Sequence, residues 1–210
     1  MKIFAKPGKG DKIHILIDGE YRFTVDSDFW YSCPYRTVKE INDGGEDEFL
    51  ELIGTRHAFL SGLRILSYGD HPKKETVQRL CQKGNKREYA EKAAELLEYY
   101  GYINDSRFAE NFAFRLINDK GMSLRGIRYE LKRRGVSDEI TAQVLSEIDF
   151  DSQSEIIYSL VEKKYFKYLN DEKGRRKVFN ALVRLGYSYS DIKSVLNKFE
   201  TDTEIEDFYE

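Results

Sequence analysis

Few residues in this sequence are of a type that performs chemistry, and their spacing does not assemble them into a catalytic group. His14, His57 and His71 are dispersed, with no serine, cysteine or paired-carboxylate constellation to suggest a triad or a metal site. Cys33 and Cys81 are the only cysteines, and they form no CxxC or Cys/His cluster, which points to a reducing compartment. The acids of Asn42-Asp43-Gly44-Gly45-Glu46-Asp47 lack the alternating ligands and terminal glutamate of a calcium loop. Gly8 and Gly10 are followed by no lysine-serine pair that would make a phosphate loop. No catalytic residue, metal or cofactor is therefore expected. What the sequence does concentrate is positive charge: residues 120 to 134 hold Lys120, Arg125, Arg128, Lys132, Arg133 and Arg134 against the single acid Glu130. Such a run suits phosphates or acidic protein surface.

The whole chain has a net charge of -3, which argues against a generic DNA-coating protein, because nonspecific duplex binders carry strongly basic domains. The sum hides a basic centre and an acidic end, since residues 199 to 210 hold six acids and no base. With 40% hydrophobic and 34% charged residues over 210 positions, the chain can bury a core without disulfides or metal. Its start, Met1-Lys2-Ile3-Phe4-Ala5-Lys6-Pro7, has no apolar leader, and no segment approaches the roughly 18 apolar residues of a membrane helix. A cytoplasmic protein is expected.

The elements that must position the basic run follow from periodicity. Ile13 to Ile17 and Tyr21 to Val25 read as two β runs around an Asp18-Gly19 hairpin turn, so residues 1–45 form a small β-containing accessory module. From residue 46 onward the apolar spacing is helical. Leu80, Leu131 and Leu182 recur at a step of 51 residues, each followed four residues later by Gly84, Gly135 or Gly186. Ala93-Ala94, Val144-Leu145 and Val195-Leu196 keep the same register. Each unit thus reads as a first helix, a second helix stopped by glycine, and a third that packs back over both, giving nine helices in a mainly α, elongated and curved protein. The expected boundaries are 46–103 for a linker helix and repeat 1, 104–150 for repeat 2, 151–200 for repeat 3, and 201–210 for an acidic, disordered tail.

In the central unit Asp105 or Ser106 can cap a helix striped by Phe108, Ala109, Phe112, Ala113, Leu116 and Ile117. Ser123 can cap the next, where Leu124, Ile127 and Leu131 point inward and Arg125, Arg128 and Lys132 form a basic flank. Lys73-Lys74, Arg125 and Arg175-Arg176 share a register near the start of each second helix, where a cation opposes the dipole and an external anion would compensate it. Lys83 and Arg134 lie in last turns, where complementing the dipole can account for them as readily as a partner can. Arg107 can pair with Asp105 or Glu110, or meet a partner. Trp30, Tyr31 and Tyr35 are assigned to packing rather than to base stacking.

The string Gly101-Tyr102-Ile103-Asn104-Asp105-Ser106-Arg107-Phe108-Ala109, followed by Gly121 and Arg125-Gly126-Ile127-Arg128-Tyr129-Glu130-Leu131-Lys132-Arg133-Arg134-Gly135-Val136, resembles the central signature of the RecX recombination regulators. The resemblance spans about residues 58 to 200 and includes the three tandem three-helix repeats. It implies a non-catalytic regulator of homologous recombination, DNA repair and the SOS response that binds the RecA recombinase filament on single-stranded DNA and limits its growth. The interface residues expected on that reading are Lys73, Lys74, Arg107, Lys120, Arg125, Arg128, Lys132, Arg133, Arg134, Arg175 and Arg176. A monomer is expected, with DNA itself left open as a direct partner and no membrane contact. The alternative is a transcriptional or architectural DNA-binding protein built from helix-turn-helix-like units.

Overall fold

Alternation in Lys12–Ile17 turns Ile13, Ile15 and Ile17 to one buried face, which makes this segment the central strand of a small antiparallel sheet. Its neighbours are β1 (Ile3–Pro7) and β3 (Glu20–Asp26), so the central strand is β2. Asp18 and Gly19 have φ of 51° and 90°, the positive pair that a tight two-residue hairpin requires. The expected hairpin is present. The third strand, β1, was not foreseen, and it joins through Ile3 opposite Ile17. The structure, a computed structural model, describes residues 1–42, 44–148 and 153–206, and the side chains of Gln153 and residues 200–206 fall outside that description.

Asp26 ends β3 and caps the short α1 (Ser27–Ser32), accepting the Phe29 N–H at 3.0 Å while its other oxygen holds Arg56 at 2.7 Å. Trp30 packs beneath the sheet, and Tyr35 meets the Phe49 ring edge-on at 5.2 Å. Tyr31 departs from its assignment to packing: it is 56% exposed, with Arg36 over its ring. Glu46, Asp47 and Glu48 open the 21-residue α2 (Glu46–Leu66), where carboxylates suit the positive end of the dipole. Phe49 and Ile53 in its first half pack against the sheet, while Ala58, Phe59 and Ile65 pack against α3 (Lys73–Gln82) and α4 (Arg87–Tyr99). Residues Met1–Asn104 make one compact unit and Asp105–Glu210 another.

The second unit contains α5 (Asp105–Lys120), α6 (Leu124–Arg134), α7 (Asp138–Ser146), α8 (Gln153–Leu160), α9 (Glu172–Arg184) and α10 (Tyr189–Glu206). Between α8 and α9 the helix widens into a π turn at Val161–Tyr165 and tightens into a 3-10 turn at Phe166–Tyr168, so the first helix of the last repeat is not continuous. Helix α5 already begins at Asp105, which places Asp105 and Ser106 in its first turn and makes Asn104, not either of them, the preceding residue. The described residues form ten helices, the extra one being α1. Helix continues to Glu206 through most of the stretch expected to be a disordered tail, and residues 207–210 lie outside the described residues.

The 51-residue step is visible in the backbone. Leu80, Leu131 and Leu182 are fully buried, and their carbonyls accept the N–H of Asn85, Val136 and Tyr187 at 3.2, 3.1 and 3.3 Å. The intervening Gly84, Gly135 and Gly186 have φ of 89°, 93° and 93°, so each second helix ends in the same left-handed turn. Among the described residues no helix is long and apolar enough to cross a membrane.

Candidate functional site

Helix α6 forms where the sequence lets it start and stop cleanly. Ser123 accepts the Gly126 N–H at 3.1 Å, satisfying one of the unpaired donors of the first turn, and left-handed Gly135 closes the last. Ile127 and Leu131 are fully buried against Phe108, Ala109, Ala113 and Val144. This fixes which side faces outward: Arg125, Arg128, Tyr129, Lys132 and Arg133 are all exposed.

The start of α6 is also held by the turn that ends α9. The Ser123 N–H donates to the Leu185 carbonyl at 3.0 Å, the Tyr187 hydroxyl donates to the Gly121 carbonyl at 2.9 Å, and Arg125 donates to the Tyr187 carbonyl at 3.4 Å. Two glycines permit this approach. A Cβ on Gly126 would collide with the Leu185 carbonyl oxygen, and one on Gly186 would stand 2.5 Å from Ser123 Oγ and 2.7 Å from the Gly126 Cα. Burial pushes the Tyr187 phenol up to about 12. The neutral hydroxyl therefore remains a donor throughout the ordinary pH range.

The predicted residues separate by what they touch. Arg134 lies over the Phe112 ring at 4.6 Å and the Phe108 ring at 5.8 Å, so its guanidinium covers the core. Arg133 is held by Glu130 at 2.7 Å, and Lys132 approaches Asp138 at 3.5 Å across open solvent. Lys73 pairs with Glu98 at 2.8 Å, and Arg175 donates to the Leu169 carbonyl at 2.9 Å. At these two positions the cation near a helix start meets an acceptor of the protein itself. Arg175 and Arg176 also sit a turn further into their helix than Lys73-Lys74 and Arg125, because α9 begins at Glu172. Arg107 is exposed in the first turn of α5. Lys74, Lys120, Arg128 and Arg176 are exposed and have no ion-pair partner among the described residues.

Sequence reasoning missed further residues on the same surfaces. Tyr129, 66% exposed, stands four residues after Arg125 and beside Arg128, so the outward face of α6 is aromatic as well as basic. On α9, Lys173, Lys177 and Arg184 are exposed alongside Arg176. The signal for Tyr129 was the spacing 125, 128, 129, 132, which is one helical face. The histidines stay apart: His14 meets the Thr24 hydroxyl at 2.8 Å, His57 the Thr24 backbone, and His71 lies 3.2 Å from the Glu75 carboxylate.

Comparison with known proteins places this arrangement. Residues 104–145 match the family model described as RecX, second three-helix domain, and residues 151–196 that of RecX, third three-helix domain. The regulatory protein RecX of Caldanaerobacter subterraneus subsp. tengcongensis is 31% identical over 196 residues, covering 91% of this chain and 95% of the relative. That of Clostridium tetani is 25% identical over 209 residues, covering 94% and 92%. A crystal structure of regulatory protein RecX shares the fold with a TM-score of 0.65 at 22% identity, covering 93% of this chain and 98% of its own. The structure of RecX from Lactobacillus salivarius gives 0.56 at 23% identity, over 70% and 97%. With both helical triplets of Asp105–Glu210 matched by family models and a relative above 30% identity over nearly its whole length, the chain belongs to the RecX family of regulatory proteins.

Proposed function

We propose that this chain is a non-catalytic regulator of homologous recombination that binds the RecA filament on single-stranded DNA and limits its growth. The observation that carries the reading is the outward face of α6, where Arg125, Arg128 and Lys132 are exposed on a helix whose other side is fully buried. Fixed cations on a rigid helix suit a partner that presents regularly spaced negative charge. Lys120, Lys74 and Arg176 extend the set of exposed cations, and Arg107 and Arg133 add charge that is already part-engaged. Arg134, Lys73 and Arg175 contribute through local packing and pairing. The protein acts by occupying the filament.

The test replaces Arg125, Arg128 and Lys132 together by Ala. Helix content by circular dichroism should be unchanged, because none of the three is in the buried stripe and Ala is the best helix former. Wild-type protein should slow ATP hydrolysis and strand exchange by RecA at less than one copy per recombinase subunit, and the triple variant should not. If the face meets phosphates, each lost contact should lower the slope of log affinity against log salt by about 0.7 to 0.9. A folded triple variant that restrains the filament at wild-type concentrations overturns the assignment. Equal affinity for naked DNA and for the filament would favour a DNA-binding protein instead.

A further inference from the structure

The unit Met1–Asn104 contains a cavity of about 640 Å³ between β3, α2 and the turn joining α3 to α4, within the range of volumes that small ligands fill. Its floor is aromatic, with Phe23 meeting His57 at 5.9 Å and Tyr89 at 6.5 Å between ring centroids. Its rim is cationic and drawn from three elements: Arg22 from β3, Lys83 from the end of α3 and Lys86 from the start of α4. Among the described residues no Asp or Glu lines it. Carboxylates compete only from outside, Glu20 at 3.0 Å from Arg22 and Glu88 at 3.5 Å from Lys86, and all four of those side chains are more than half exposed. Such solvated pairs yield readily to a stronger anion.

Comparison within the chain adds to this. Ser137 and Ser188 follow Lys86 at 51-residue steps, and each caps its helix: Ser137 Oγ accepts the Ile140 N–H at 3.2 Å and Ser188 Oγ the Asp191 N–H at 3.1 Å. Lys86 makes no such bond, and its ammonium lies 5.3 Å from the centre of the Tyr89 ring. Where the other repeats place a capping oxygen, the repeat beside the sheet places a cation at the cavity mouth.

We propose that this cavity binds one nucleotide unit, with its base on the Phe23 and Tyr89 floor and its phosphate among Arg22, Lys83 and Lys86. The rings of Phe23 and Tyr89 meet at 68°, so a base stacks on the face of one and meets the edge of the other, a contact open to any base. A phosphate offers up to two charges and three acceptor oxygens to the three cations, whereas a single carboxylate of an acidic peptide leaves most of that charge unmatched. The inference goes beyond the recombinase reading and does not rest on it, since the cavity and α6 belong to different units. The same chemistry is offered by a free nucleoside phosphate and by an unpaired nucleotide of a single strand.

Calorimetric titration of the full chain with ATP should show one site. Adenosine alone and pyrophosphate alone should each bind at least about tenfold more weakly, since each supplies one half of the recognition. Arg22→Ala and Lys83→Ala should each weaken ATP about fivefold. Lys86→Ser should weaken ATP too while raising the melting temperature, because it restores the capping oxygen of the other repeats; these opposite signs separate loss of a contact from damage to the fold. The variant lacking Arg125, Arg128 and Lys132 should bind ATP normally, and in that background competition by oligothymidylate assigns the site to a strand, whereas its absence assigns it to the free nucleotide. Folded protein that binds neither ATP nor oligothymidylate at millimolar concentration, ATP binding indifferent to all three rim variants, ATP binding lost with the α6 cations, or capture of an acidic peptide in place of nucleotide would each overturn the proposal.

Discussion

Helices α3 and α6 hold the same register in successive repeats, and they differ almost entirely on their outward sides. Both bury a leucine completely, Leu80 or Leu131, and both end in a left-handed glycine turn with the same carbonyl bonded five residues on. On α3 the surface charges are largely spoken for, with Lys73 on Glu98 and Arg79 on Glu75. On α6 five bases face one acid, and Arg128 has no ion-pair partner among the described residues. At the position where α6 has Gly126 and admits the Leu185 carbonyl, α3 has Glu75. The lesson is that the residues that build the repeat and those that give it a surface to act with are different residues of one helix. The two sets can be changed independently.

The comparison breaks most visibly if the buried leucines are not equivalent. Leu80→Ala and Leu131→Ala should each cost about 2 to 5 kcal/mol in urea unfolding, as core truncations do; a loss well below that in either would dissolve the shared register. Gly126→Ala should cost about 1 to 3 kcal/mol, because the new methyl meets backbone that has little room to move, while Arg79→Ala on α3, which removes a 44% exposed partner of Glu75, should cost less than about 1 kcal/mol. Thermal melts of the two variants side by side would show the contrast.

A pH titration sharpens the difference further. Tyr187 is neutral when folded, and burial pushes its phenol from the usual 10 up to about 12. Its contribution is complete below pH 10 and is lost as pH rises from there toward 12, since only the unfolded chain gives up the proton in that window. The slope is at most about 1.4 kcal/mol per pH unit, and Tyr187→Phe should remove that part of the alkaline fall in stability. The smallest effects belong to the surface: Lys73→Ala should cost about 0.2 to 1 kcal/mol, and Arg128→Ala should stay within about 0.5 kcal/mol. A large loss at Arg128 in chemical denaturation would mean that it supports the fold rather than faces a partner.

Much of this was legible because it is local. Ser123 before an apolar stripe, glycine four residues after leucine, and Arg125, Arg128 and Lys132 on one flank are all encoded within a few turns of helix. The rest depends on partners far along the chain. Nothing in the neighbouring residues announces that Gly126 makes room for Leu185, and Arg134 reads as a dipole complement until the rings of Phe108 and Phe112 are found beneath it. Strand β1 escaped because a five-residue segment ending in Pro7 carries little alternation of its own and is defined by pairing with β2. Helical periodicity equally hid the break after Leu160, where the chain keeps winding but changes its pitch.

The contact between α6 and the turn at Gly186 also bears on whether the next unit offers the same seat. Repeat 2 receives the turn of repeat 3 through Ser123 and Gly126. One step later in the register those positions are Gly174 and Lys177. Gly174 is already crowded by the Tyr168 carbonyl of its own repeat, and its N–H is taken by Asp171. A further turn arriving there would find the space filled and a lysine where glycine is needed. The seat that repeat 2 offers at Ser123 and Gly126 is thereby not reproduced at Gly174 and Lys177 of repeat 3.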